Sequence, residues 1–258
     1  MQIEIIMSLK VVSTIFAISI IYFTIISSSS SSSLYLDSNF LFSVEAQQPF
    51  TISDHEFHAY LEQMIGHLDA SILNVQNNNS VLAVAHALHP IEEIVDVINS
   101  RLIQTNETLT KEFSSKLNKY VQTVRSDSLN KIVIEKRELE KLLSNALEQS
   151  ISLEKRTNRD HILNVTADLI TIASEEYAES MSQGKIINLL EYQDGQQFFK
   201  RAINLLDKSQ AYLSENDNKN YLTRIDDMKK GLDSKIDPSE IDMNVKDMLC
   251  EIKKGFYC

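Results

Sequence analysis

From Phe57 to the C-terminus the apolar residues recur with a helical period. Ser53 and Glu56 have the spacing of a capping box, and Phe57, Leu61, Met64, Ile65, Leu68, Ile72 and Val75 follow on one stripe until Asn77-Asn78-Asn79 ends it. This predicts a first helix. A second runs over about 80–103, a third follows Asn106, and a fourth, carrying Ile132, Leu139, Leu142, Leu143, Ala146 and Leu147, follows Asp127-Ser128. A break at Thr157-Asn158, with Asp160 behind it, starts a fifth helix that ends near Gly184. Two more cover 185–213 and 218–236, and a last one opens at Asp237-Pro238-Ser239-Glu240, where the cap, the proline and the acid agree.

The pattern predicts an all-α protein of two related antiparallel, up-and-down bundles, at 51–154 and 157–254, after an N-terminal export segment at 1–46. Composition supports the class: 5 Gly and 3 Pro are too few for turn-rich sandwiches or barrels, and 43% apolar residues suffice for a core. Sliding the second half over the first by 105 residues sets Val81-Leu82 on Ile186-Ile187, Ile98-Asn99 on Ile203-Asn204, and His86 and His89 on Glu191 and Asp194. Pro90 then falls on Gly195, so both halves carry a helix breaker directly after a potential ligand, as a duplication would leave it.

Residues 11–26 are mostly apolar, follow Lys10 and precede the serine run Ser27 to Ser33, which reads as the core of a signal peptide. Val44-Glu45-Ala46 has the small-residue spacing of a cleavage site but lies about 20 residues further on, so a cleaved signal and an uncleaved membrane anchor both stay open. Either places the folded part outside the cytoplasm, secreted or tethered, with membrane contact only through this segment. Sequons at Asn78, Asn106 and Asn164 are compatible with export, and so is a disulfide between Cys250 and Cys258. A net charge of −11 without a basic run excludes nucleic acid as a partner.

The chemistry is concentrated in the histidines, five of six lying between positions 55 and 89. His55, His58 and Glu62 share one face of the first helix, and His86, His89 and Glu93 repeat the same spacing on the second. Imidazole with carboxylate is a donor set for iron, copper or zinc, and bundles build such sites from facing helices. His161 and Asp168 on the fifth helix, and Glu191 and Asp194 on the sixth, add further donors, whereas His67 reads as structural. The second helix is apolar on more than one face, which places His86 and His89 where the halves meet, and Pro90 kinks it beside them. The expected ligands are His86 and His89 with Glu92 or Glu93, and His55, His58 and Glu62 in the same or a separate site. No nucleophile motif or phosphate loop occurs, so the expectation is a non-catalytic protein that binds a transition metal ion, in uptake or storage, with cell-surface or membrane transport proteins as partners. The alternative is an interaction or structural surface module without metal.

At Ala87-Leu88-His89-Pro90-Ile91-Glu92 the chain resembles the Gly-x-His-x-x-Glu motif of the imelysin-like proteins, exported helical proteins linked to iron uptake and once classed as M75 peptidases. Ala87 stands at the Gly position and Pro90 departs from the pattern. The resemblance implies that His89 and Glu92 take the motif roles and that iron or a similar metal is bound. It implies no peptidase activity, because the second histidine and the base of a zinc protease are missing.

Overall fold

A computed structural model of the chain describes residues 52–253, and these are helical almost throughout. The export segment and its cleavage site lie outside the described residues, as does Cys258 and with it the disulfide to Cys250. No helix among the described residues is long and apolar enough to cross a membrane.

Most of the helices start where a side chain satisfies the free N–H groups of the first turn. The Ser53–Glu56 capping box opens α1 (Asp54–Gln76). Asn79 caps α2 (Ser80–His89), which passes through a π turn at Pro90–Ile94 into α3 (Val95–Thr105). The asparagine at 106 receives the N–H groups of Thr108 and Leu109 at the head of α4 (Glu107–Ser126), and α5 (Leu129–Ser150) closes the first half. The short α6 (Leu153–Arg156) leads to α7 (Arg159–Ser180), capped by Asn158. Then come α8 (Leu189–Lys208), α9 (Glu215–Asp233) and α10 (Pro238–Ile252), capped by Asn188, Ser214 and Asp237.

One boundary differs in kind from the sequence expectation, while others, such as those of the helices expected at 185–213 and 218–236, shift by a few residues. The fifth helix stops at Ser180, and a small antiparallel hairpin pairs β1 (Met181–Ser182) with β2 (Lys185–Ile186) before α8 begins. Gln183 and Gly184, at φ 51° and 72°, supply the left-handed pair that a tight hairpin turn needs. A glycine that reads as a helix stop is here the second corner of that turn.

The halves repeat one another in order and offset. α1 packs on α2 and α5, and α4 packs on α2, α3 and α5; in the second half α7 packs on α8 and α10, and α9 on α8 and α10. Moved by 105 residues, α1 falls on α7, α2 with α3 on α8, α4 on α9 and α5 on α10. Each half carries its own apolar core. Phe57, Met64, Leu68, Ile98, Phe113 and Tyr120 lie in one, and Ile170, Tyr177, Phe199, Tyr221, Ile225 and Met248 in the other.

Where the halves meet, polar side chains pair across the seam, and Ala59 of α1 joins the core of the second half. α1 lies against α7 and α8, and α2 touches α8. Gly66 permits this, since a Cβ there would stand 2.8 Å from the Phe198 ring. Gly195 does the same between α7 and α8, where a Cβ would be 2.9 Å from the carbonyl oxygen of Ala173. All six histidines of the chain lie along this seam and reach a residue of the opposite half.

Candidate metal centre

Pro90 shapes the first side of the site. It has no N–H to donate to the carbonyl of residue 86, so the helix cannot continue its usual ladder. The coil widens, and the N–H of Val95 donates to the carbonyl of Pro90, five residues back. His86 and His89 end the regular helix just before this widening and point into the seam, where both are buried. α1 contributes His67, adjacent to Gly66, and α8 contributes Asp194, adjacent to Gly195. The two glycines let the helices approach until these four side chains converge.

Asp194, 0% exposed, is the centre of the cluster. His67 Nδ1 lies 2.8 Å from Asp194 Oδ1, and His89 Nδ1 lies 3.1 Å from Oδ2. His86 Nδ1 is 3.1 Å from Oδ1 at an angle that makes no hydrogen bond. One ligand atom from each of the four lies within 4.8 Å of all the others. The imidazoles stand roughly edge to face, His67 with His89 at 5.1 Å between centroids and His86 with His89 at 5.9 Å.

His86 identifies what is needed between them. Its Nε2 is 2.8 Å from Gln193 Oε1, an acceptor that also receives Asn74 Nδ2 at 2.7 Å, so Nε2 carries the proton and donates. In the neutral ring Nδ1 is then a buried lone pair without a hydrogen bond, 3.1 Å from a carboxylate oxygen. Nδ1 and the carboxylate oxygen, 3.1 Å apart, repel unless a proton or a metal cation lies between them. A metal ion at about 2.0–2.2 Å from nitrogen and oxygen ligands would meet that need, because it draws donors to such separations.

The charges are consistent with a cation site. Burial alone would raise the Asp194 carboxyl, but the charge of His67 and the close approach of the His67, His86 and His89 rings outweigh it and hold the group well below its ordinary 3.8. Burial lowers His89, and Asp194, Glu93 and Glu191 more than offset this, raising it above 6.5. Nearby Glu176 is pushed up to about 9, first by burial and then by its hydrogen bond with Glu191 and the charges of Glu191, Asp194 and Glu93. The region around the cluster is therefore rich in carboxylates.

The residues singled out from sequence divide between two places. His86 and His89 enter the cluster, and Glu93 stands at its edge, 3.7 Å from both His89 Nδ1 and His67 Nε2. Glu92 faces solvent. The first-helix set is engaged elsewhere along the seam: His55 Nδ1 is 2.7 Å from Asp168 Oδ2, His58 Nδ1 is 3.0 Å from His161 Nε2, and Glu62 is gripped by Arg201. Burial and the charges of Arg156 and Arg201 press His58 down to about 4, and burial with the charge of His58 does the same to His161. The cluster also includes two residues outside the expected ligand set, of which Asp194 stood only among the further donors. His67 faces the seam rather than a structural niche, and Asp194 is the residue that the 105-residue offset pairs with His89.

Residues 152–257 match the family described as the iron permease-associated 4-helix bundle domain, a stretch that contains α7 to α10. No curated protein and no solved structure matches the chain. This family match overturns the resemblance to the imelysin-like proteins drawn at Ala87 to Glu92. The structure supplies the physical reason for the misreading: the hexapeptide straddles the junction of α2 and the π turn, so His89 turns inward while Glu92 turns to solvent and the two do not converge.

Proposed function

We propose that the protein binds one transition metal ion, iron in the first instance, between its two halves through His67, His86, His89 and Asp194. The observation that carries this reading is the bare Nδ1 of His86, buried and set 3.1 Å from a carboxylate oxygen without a hydrogen bond. The family match supports iron, since its name ties the second half to iron permeases. The role that fits is non-catalytic capture, holding a metal for uptake or storage and passing it to a membrane transport protein. The apolar run at 11–26 supports an extracytoplasmic setting. His55, His58 and Glu62 serve in this reading to fasten the halves together, and Glu93 is an outer neighbour of the metal.

Asp194→Asn is the direct test, because asparagine keeps the shape and loses the charge. The parent should bind Fe(II), Co(II) or Zn(II) at one equivalent by calorimetry and elemental analysis. The variant should bind on the order of a hundredfold more weakly, at or beyond the upper end of what supporting residues around metals contribute. A parent that stays metal-free after reconstitution, or a variant that binds equally well, would overturn the proposal in favour of an interaction module.

A further inference from the structure

The four residues of the cluster are at most 7% exposed, so a cation needs a way in. Most of the surroundings are closed. The Phe198 ring packs edge-on against His67 at 5.0 Å, and Asn74, itself buried, fixes Gln193 behind His86. Glu93 is different. Its side chain is 48% exposed, yet its two oxygens reach 3.7 Å from His89 Nδ1 and from His67 Nε2. It stands on the π turn, whose wider coil sets it beneath His89. Glu191, one turn before Asp194, adds negative charge near Glu93, whereas Glu176, hydrogen-bonded to Glu191 and pushed up to about 9, holds its proton at neutral pH and adds none.

We propose that Glu93 is the port residue of this centre: it takes a divalent transition-metal cation from solvent and hands it to the buried histidines. The proposal rests on the metal reading above and adds the route of exchange. A carboxylate with one end in water can bind a partly hydrated cation, and a carboxylate 3.7 Å from two imidazole nitrogens needs only a change of rotamer to release it inward. Negative charge at the mouth of a low-dielectric cleft raises the local cation concentration and speeds entry. The same residue would receive the ion on its way out. Glu93 thus governs rates, whereas His67, His86, His89 and Asp194 govern affinity.

Stopped-flow mixing of the whole protein with Co(II), followed by the visible absorption of the bound ion, separates the two roles. Glu93→Gln should slow both loading and chelator-driven release by about tenfold, the low end of what charge focusing supplies. Kd should stay within about threefold, because the two rates fall together. Loading of the parent should also slow with added salt more steeply than that of the variant. Glu92→Gln, on the same turn but facing solvent, should leave both rates unchanged. Unchanged rates in Glu93→Gln would overturn the port while leaving the metal site in place. A weaker Kd arising from faster release alone would make Glu93 a resident ligand and equally overturn it. A parent that binds no Co(II) would overturn the metal reading and the port together.

Discussion

Two groups of histidines sit on the same seam, and their surroundings give them opposite chemistry. His67, His86 and His89 converge on one buried carboxylate, and Asp194, Glu93 and Glu191 favour a positive charge at His89. His58 and His161 converge on each other with arginines close by, and both are pressed down to about 4. The difference teaches that histidine spacing along a helix does not define a metal site. What defines it is the charge on which the rings converge, and whether a nitrogen is left with a lone pair that nothing in the protein satisfies. His58 and His161 satisfy each other, while His86 Nδ1 is left without a hydrogen bond among the described residues.

The largest effect expected from breaking this contrast comes from the ligands. Replacing His86 and His89 together by Ala should weaken metal binding by about a thousandfold or more, roughly 4 kcal/mol. His58→Ala should leave the metal Kd unchanged and lower only the stability of the fold, by the 1–3 kcal/mol or so expected for a buried polar side chain removed from its partner. Titration calorimetry with Zn(II), beside denaturant unfolding of both variants, checks the pair. Equal losses of affinity would erase the distinction between the two groups.

A smaller effect should follow from moving the acid instead of removing the bases. Gly195→Ala places a Cβ 2.9 Å from the carbonyl oxygen of Ala173, which is backbone and cannot swing away. α8 must shift from α7, carrying Asp194 with it, at a cost of about 1–3 kcal/mol of stability. The variant should lose metal affinity while the acid titration of the His58–His161 pair persists. Unfolding by urea and the same calorimetry would show whether the glycine matters to the site or to packing alone.

The helices could be read because period, caps and breakers are local properties. Ser53, Asn106, Asn158 and Asp237 open helices for reasons written within three or four residues. The site was only half legible, because its completion depends on which helix meets which. His86 and His89 were marked by a helix apolar on two faces. His67 was missed because its face of α1 bears small residues, Ala59, Gly66 and Ala70, which lack the bulk of a core stripe yet are what close approach of another helix requires. Asp194 carried a signal in the 105-residue offset that pairs it with His89, but an offset states equivalence and not contact. The hairpin at 181–186 was hidden for a related reason: a glycine after an apolar run suits a helix end and a turn equally well.

The last and smallest effect is a pH dependence in which the two groups pull in opposite directions in the metal-free protein. His58 and His161 hold folded values of about 4 against an unfolded 6.5. Their neutral forms therefore stabilise the fold fully above pH 6.5, and that contribution is lost as the pH falls from 6.5 towards 4. His89 is raised, so its contribution is complete below 6.5 and lost as the pH rises through its folded value. Urea unfolding in the presence of a chelator should thus show stability declining on the acid side by at most about 1.4 kcal/mol per pH unit for each of the two imidazoles. His161→Gln keeps a hydrogen-bonding partner for His58 but cannot titrate, and should make the acid slope shallower by up to one imidazole's share. His89→Gln should leave the acid slope alone and flatten the change above pH 6.5. An acid slope unchanged in His161→Gln would assign it to carboxylates and dissolve the electrostatic contrast between the two groups. Added Zn(II) should lift the neutral side most, because protonated imidazoles cannot ligate and metal binding must displace those protons as the pH falls.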